Sequence, residues 1–141
     1  METTTLGELI QGRKIEAEMK QCLYIVRDGK EILYIGKTAR ATLHNRFRGH
    51  LGLAHFPAQL KFDVALREAG KSADYWMVDV LQQEDWNAIF QAEGLSLRYK
   101  LNTAESALIK HYKPKYNLTS HPDHPHPLPW VKDQTQTMKK S

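Results

Sequence analysis

Two short apolar, aromatic runs, Cys22-Leu23-Tyr24-Ile25-Val26 and Ile32-Leu33-Tyr34-Ile35-Gly36, flank Arg27-Asp28-Gly29-Lys30. That pattern commits this part of the chain to a β-hairpin, because β-branched and aromatic residues favour strands and Asp-Gly favours a tight reversal. The length of the loop decides what the hairpin can do. A two-residue Asp28-Gly29 turn pairs Tyr24 with Leu33 and sends the two tyrosines to opposite faces. A three-residue loop, Arg27 to Gly29 with Gly29 left-handed in a bulge, shifts the register by one and brings both phenols to one face. The second register is the one expected here, because two phenols on one face, followed by Arg46, His50 and Glu105, make a phosphate-cleaving site. Taken singly, either tyrosine reads as an ordinary strand residue.

The rest of the chain is organised around that hairpin as a small α+β domain with a three-stranded antiparallel sheet flanked by helices. Leu6 to Lys20 reads as an amphipathic helix, with Leu6, Leu9, Ile10 and Ile15 buried. Thr42 can cap a helix running to about Leu51, whose apolar stripe is Leu43, Phe47 and Leu51. Arg46 and His50, four residues apart, share an adjoining stripe and can reach one site. Pro57 can start a second helix ending near Gly70, although the alternation in Leu60 to Leu66 also allows a strand. Tyr75 to Leu81 reads as the third strand, Asp85 to Glu93 as helix, and Gly94 to Leu101 as a connection. A final helix spans about Thr103 to Tyr112 and stops before Pro114. The segment from His121, His-Pro-Asp-His-Pro-His-Pro-Leu-Pro, can form neither helix nor central strand and is expected to be an extended or disordered tail. The expected division is therefore 1–20 as a helical extension, 21–120 as the functional domain and 121–141 as the tail.

Glu105 is the residue most out of place. With Leu108, Ile109 and Tyr112 it falls on the helical stripe that should be buried, where an ionised carboxylate is costly unless compensated. A divalent cation would compensate it. The rival is a capping box, Asn102-Thr103-Ala104-Glu105, in which Glu105 reaches back to the Asn102 backbone. A single carboxylate suits Mg²⁺, which keeps several waters and takes substrate phosphate oxygens as further ligands. With no cluster of acids in the sequence, a one-metal site is favoured over a two-metal one. Lys37, Arg40, Arg46 and Arg48 fall in a twelve-residue stretch that contains no acid, a patch suited to a phosphate backbone; a solvated helix face is the plainer reading of the same charges. Arg46, with its forked guanidinium, is the one suited to stabilise charge on a phosphate in the transition state.

Read in order, Cys22-Leu23-Tyr24, Tyr34-Ile35-Gly36, Arg46, His50, Glu105 in Ala104-Glu105-Ser106-Ala107-Leu108-Ile109, Pro114 and Asn117 resemble the GIY-YIG nuclease family, from about Cys22 to Asn117. The ten-residue tyrosine spacing and the twelve residues from Glu105 to Asn117 strengthen the resemblance. The departure lies at the first signature, where Cys22 and Leu23 stand for the family's usual Gly-Ile. The resemblance implies metal-dependent hydrolysis of DNA phosphodiesters, on double-stranded or branched DNA, with one Mg²⁺ (or Mn²⁺) held by Glu105. It implies Tyr24 as general base, with Tyr34 donating a hydrogen bond to phosphate or water. It further implies Arg46 on the phosphate and His50 positioning water or the Tyr24 hydroxyl. Gly36 lets backbone approach the site, Lys37 contacts phosphate, and Asn117 anchors the loop after Pro114 at the rim of the nucleic-acid site. Arg40 and Arg48 are ascribed to DNA contact or to plain surface.

Other readings are weaker. His121, His124 and His126 alternate in a way that can hold a transition metal, but a Pro-rich tail lacks preorganised geometry. Cys22, the lone cysteine, rules out an internal disulfide and suits a reducing compartment; in a buried strand without a base it is a poor nucleophile. Trp76, Trp86 and Trp130 read as packing residues before base-stacking ones. The charged N-terminus and the absence of a membrane-length apolar run make cytoplasm the expected location. With 141 residues there is no room for a large DNA-reading domain, so specificity is expected from the N-terminal helix, the region Leu51 to Leu101, a homodimer or a partner protein. The competing class is a nucleic-acid-binding or regulatory module that keeps the scaffold without turnover.

Overall fold

The computed structural model describes residues 1–12, 15–51, 61–94, 100–117 and 128–131. At its centre is an antiparallel sheet built from β1 (Glu2–Thr5), β2 (Cys22–Asp28), β3 (Glu31–Thr38) and β4 (Met77–Leu81), in the order β1-β4-β2-β3. Among the described residues the sheet thus has four strands, one more than the sequence suggested. The extra strand, β1, is short and polar, and it is held by pairing with β4 and by Thr3 Oγ1 donating to Asp79 Oδ1 at 2.8 Å.

The hairpin closes differently from either loop considered above. Asp28 pairs with Glu31, leaving a two-residue turn of Gly29 and Lys30. Gly29, at φ 59°, takes the left-handed first position where glycine is favoured in such turns. A bulge then leaves Leu33 unpaired between Arg27↔Ile32 and Val26↔Tyr34. That extra residue restores the parity, so Tyr24 faces Gly36 across the ladder and Tyr34 lies on the same side of the sheet. The bulge does what the longer loop was expected to do.

Each face of the sheet carries its own core. One face presents Cys22, Tyr24, Val26, Tyr34, Val78 and Val80 to α1 (Leu6–Gln11), α2 (Leu43–His50) and α3 (Lys61–Ala69). The other presents Leu23, Ile25, Ile35 and Leu81 to α4 (Gln83–Ala92) and α5 (Leu101–Tyr112). The expected long N-terminal helix is cut short. α1 ends at Gly12, whose φ of 71° makes a left-handed C-cap, and a 3₁₀ turn at Ile15–Glu18 follows. Leu6 and Leu9 are fully buried, and Ile10 packs against the same core. Thr42 caps α2 as expected, its Oγ1 accepting from Asn45 N at 3.2 Å. The ambiguous Leu60–Leu66 stretch is helical from Lys61 on; its expected start at Pro57 lies outside the described residues.

The second face also receives part of the tail. Leu128 is buried there, and Trp130 Nε1 donates to Asp79 Oδ2 at 3.0 Å. Asp79, shielded from solvent, is balanced by Arg27, whose Nε lies 2.8 Å from Oδ2. An apolar ring with one donor thus finds both a greasy surface and a buried acceptor, which is why residues 128–131 dock although their neighbours are rich in proline. His121, His124 and His126 lie outside the described residues. Among the described residues no helix is long and apolar enough to cross a membrane.

Candidate active site

The site is built where the middle of the hairpin meets α2. Gly36 and Tyr24 are cross-strand partners, and this closeness dictates the glycine. A Cβ at Gly36 would overlap the Tyr24 hydroxyl, and would lie 2.5 Å from Tyr24 Cζ and 2.7 Å from Tyr34 Cε2. The two phenol rings, with centroids 6.1 Å apart, therefore close over a bare backbone. Aromatic neighbours fix their positions. Tyr24 packs against Phe47 at 5.0 Å, and Tyr34 stacks on Phe62 at 4.5 Å with 12° between the planes.

α2 brings Arg46 and His50 to this pair. His50 is 3% exposed, and its Nε2 lies 2.8 Å from the Tyr24 hydroxyl. Its other ring nitrogen, Nδ1, lies 2.6 Å from Oδ1 of Asp63 on α3. Asp63 is only 5% exposed, and no motif in the sequence pointed to it. A signal did exist: an acid beside Phe62 and three residues before Leu66, on the buried side of a helix, is the same anomaly that exposed Glu105. The strand-like alternation of that stretch concealed it.

Arg46 is half-buried beside both phenols. Burial acts to lower its guanidinium pKa but is outweighed by Tyr24, Tyr34 and Glu105, which hold the proton more firmly. Its Nε is buried and has no hydrogen-bond partner among the described residues. A buried guanidinium N–H without an acceptor is costly, and an oxygen of a bound ligand would relieve it. The phenols are shifted the other way. Burial pushes Tyr34 up to about 12, with Arg46 opposing. Burial and the neighbouring Tyr34 together push Tyr24, which is wholly shielded from solvent, still further above the ordinary phenol range.

Glu105 approaches from α5. That helix begins at Leu101 and not at Thr103, and its N-cap residue is Lys100. The capping box is therefore not formed: Asn102 lies inside the helix, and its Oδ1 accepts from Lys37 Nζ at 2.6 Å. Lys37 Nζ is 3.8 Å from Glu105 Oε1. The most buried stripe of α5 is Ala104, Leu108 and Tyr112, with Glu105 half-buried at its margin. Desolvation raises the Glu105 carboxyl above the usual range although Lys37 and Arg46 pull it down. The carboxylate is thus short of positive charge, and a divalent cation fits that shortage. Among the described residues no group of three or more His, Cys, Asp or Glu side chains forms a ready-made cage, so Glu105 would be a single protein carboxylate on the ion.

The remaining candidates separate by environment. Arg40 and Arg48 are exposed. Asn117 is buried at the outer edge of β3, where its Oδ1 accepts from Ile35 N and its Nδ2 donates to Ile35 O, both at 3.0 Å. Lys115 N and Tyr116 N continue the same edge by donating to Ile32 O and Leu33 O. Asn117 thus seals the edge strand, with both atoms of its amide engaged by the Ile35 backbone. Cys22 is buried, and burial pushes its thiol up to about 12, far from a reactive thiolate. Comparison with protein-family models, curated proteins and solved structures finds no match to this chain.

Proposed function

We propose that this protein is a metal-dependent endonuclease that hydrolyses DNA phosphodiester bonds through a one-metal site of the GIY-YIG kind. The observation that carries the reading is the half-buried Arg46 guanidinium, whose Nε has no partner among the described residues, set beside two phenols and within electrostatic reach of Glu105. A phosphate diester supplies the missing acceptor, and the planar guanidinium can hold its oxygens as charge grows on them. Glu105 would hold one Mg²⁺ or Mn²⁺, which when bound supplies Lewis-acid stabilisation of charge on the phosphate and the leaving oxygen.

Tyr24 is the general base, with Tyr34 donating a hydrogen bond to the phosphate or the attacking water. Tyr24 is shielded in the free protein, so water reaches its hydroxyl when Arg46 is drawn toward the phosphate. Arg40 and Arg48, both exposed, are available to the flanking backbone of the duplex. Lys37 lies between Asn102 and Glu105 and tunes the carboxylate until substrate arrives.

The test is nicking of supercoiled plasmid and of branched duplexes in Mg²⁺ or Mn²⁺, for the parent, Tyr24→Phe and Arg46→Ala. The parent should cut, and each folded variant should lose about 10²–10³-fold in rate, the usual effect of removing one transition-state contact. Full activity in both variants would overturn the assignment. DNA binding by the parent without cutting would favour a binding module on the same scaffold.

A further inference from the structure

We infer that Asp63, His50 and Tyr24 form a proton relay, in which Asp63 is the positioning residue that sets His50 to receive the Tyr24 proton. The inference rests on the nuclease reading for its chemistry but on geometry for its existence. The three groups are joined in series, Asp63 Oδ1 at 2.6 Å from His50 Nδ1 and His50 Nε2 at 2.8 Å from the Tyr24 hydroxyl. All three are buried, and their rings are walled by Phe47, Phe62 and Tyr34. A carboxylate can only accept, so it selects the His50 tautomer with hydrogen on Nδ1. Nε2 is then bare, and the Tyr24 hydroxyl donates to it. The phenol oxygen then has its lone pairs on the side of Arg46, which hydrogen-bonds it, and they become available to water once that guanidinium turns to the phosphate.

This order solves a problem of the proposed chemistry. Burial holds the Tyr24 phenol well above its ordinary range, so a phenolate formed beforehand is too scarce to serve as base. With the relay no prior phenolate is needed. As the water oxygen bonds to phosphorus, its proton passes to the Tyr24 oxygen, and the Tyr24 proton passes to His50 Nε2. The bond from phosphorus to the leaving ester oxygen breaks, and that oxygen takes a proton from solvent. The imidazolium formed is stabilised by Asp63 and later returns its proton to solvent. The logic is that of an oriented base whose third partner fixes tautomer and charge.

Two measurements test this, one without activity. The ¹⁵N ring signals of His50 in the parent, assigned by their loss in His50→Gln, should show a protonated Nδ1 and a bare Nε2 at neutral pH. A protonated Nε2 with a bare Nδ1 would overturn the relay. In the second, Asp63→Asn should lower kcat on plasmid or branched DNA by about 10³–10⁴-fold, the usual effect of an amide in this position, while KM changes less than threefold. Asp63→Glu should recover part of that loss. If the parent cuts DNA and folded Asp63→Asn cuts at the same kcat, the relay is wrong while the nuclease reading stands. If the parent cuts nothing, the nuclease reading falls, and the His50 tautomer still decides whether Asp63 orients the ring. Should Asp63→Asn not fold, the parent tautomer and Asp63→Glu carry the test.

Discussion

Gly36→Ala probes the closest approach in the site. The added Cβ would stand 2.5 Å from Tyr24 Cζ and 2.7 Å from Tyr34 Cε2, against ordinary carbon separations of about 3.5–4.0 Å. Each ring must therefore withdraw by about 1 Å. Neither has room: Tyr24 is backed by Phe47 at 5.0 Å, and Tyr34 is stacked on Phe62 at 4.5 Å. Overpacking of this kind costs about 1–3 kcal/mol. Moving the Tyr24 hydroxyl from His50 Nε2 forfeits about 1 kcal/mol more. The sum, about 3 kcal/mol, corresponds to a fall in Tm of about 10 °C for a domain of this size. Gly29→Ala is the control, because among the described residues nothing beyond its chain neighbours lies within 4 Å of its Cβ position and only its φ of 59° is strained, for about 1–2 kcal/mol. Urea and thermal unfolding of parent and both variants, at equal m-value, measure the difference. A Gly36→Ala protein within 0.5 kcal/mol of the parent, or no less stable than Gly29→Ala, would refute the packing argument.

Three further outcomes are expected. Stability should fall steeply in alkali, because Tyr24, Tyr34 and Tyr112 are all raised by burial and keep their protons when folded, while the unfolded chain releases them near the ordinary phenol pKa. From about pH 10 upward each such group removes about 1.4 kcal/mol per pH unit, and three remove about 4; urea midpoints that hold level from pH 9 to 11 would contradict this. Asn117→Ala should cost about 2–4 kcal/mol, since it leaves the N–H and C=O of Ile35 unpaired at the edge of β3, and hydrogen exchange at the Ile35 amide should quicken; unchanged protection there would sink the anchoring role. DNA affinity should decline with salt, and the joint change Arg40→Ala with Arg48→Ala should flatten the log–log slope by about 2, a result that salt-insensitive binding would exclude.

The hairpin, the shared face of the tyrosines and the Thr42 cap were legible because each depends on local pattern: β-branched runs, glycine at the reversal, a hydroxyl before an apolar stripe. The register was reached for a different reason from the one inferred. A bulge at Leu33 is a property of the ladder, and nothing in Ile32-Leu33-Tyr34 distinguishes it from continuous strand. β1 escaped notice because Glu2-Thr3-Thr4-Thr5 carries no apolar alternation and exists by pairing with β4. The capping box at Asn102 failed because α5 starts two residues earlier than expected, at Leu101, and Asn102 is engaged by Lys37, a contact from 65 residues away. Asp63 shows the same limit: its partner is thirteen residues back on another helix, and only the folded chain brings them together.

Glu105 offers the most direct test of the central claim. Parent and Glu105→Gln should be compared for cleavage of supercoiled and branched DNA in Mg²⁺, in Mn²⁺ and in EDTA, with DNA binding and folding checked for both. The account predicts that the parent cuts only with metal, and that a folded Glu105→Gln protein binds the same DNA yet does not cut it. Cleavage by Glu105→Gln at the parent's rate, or a parent that binds every substrate and cuts none with either metal, would contradict it.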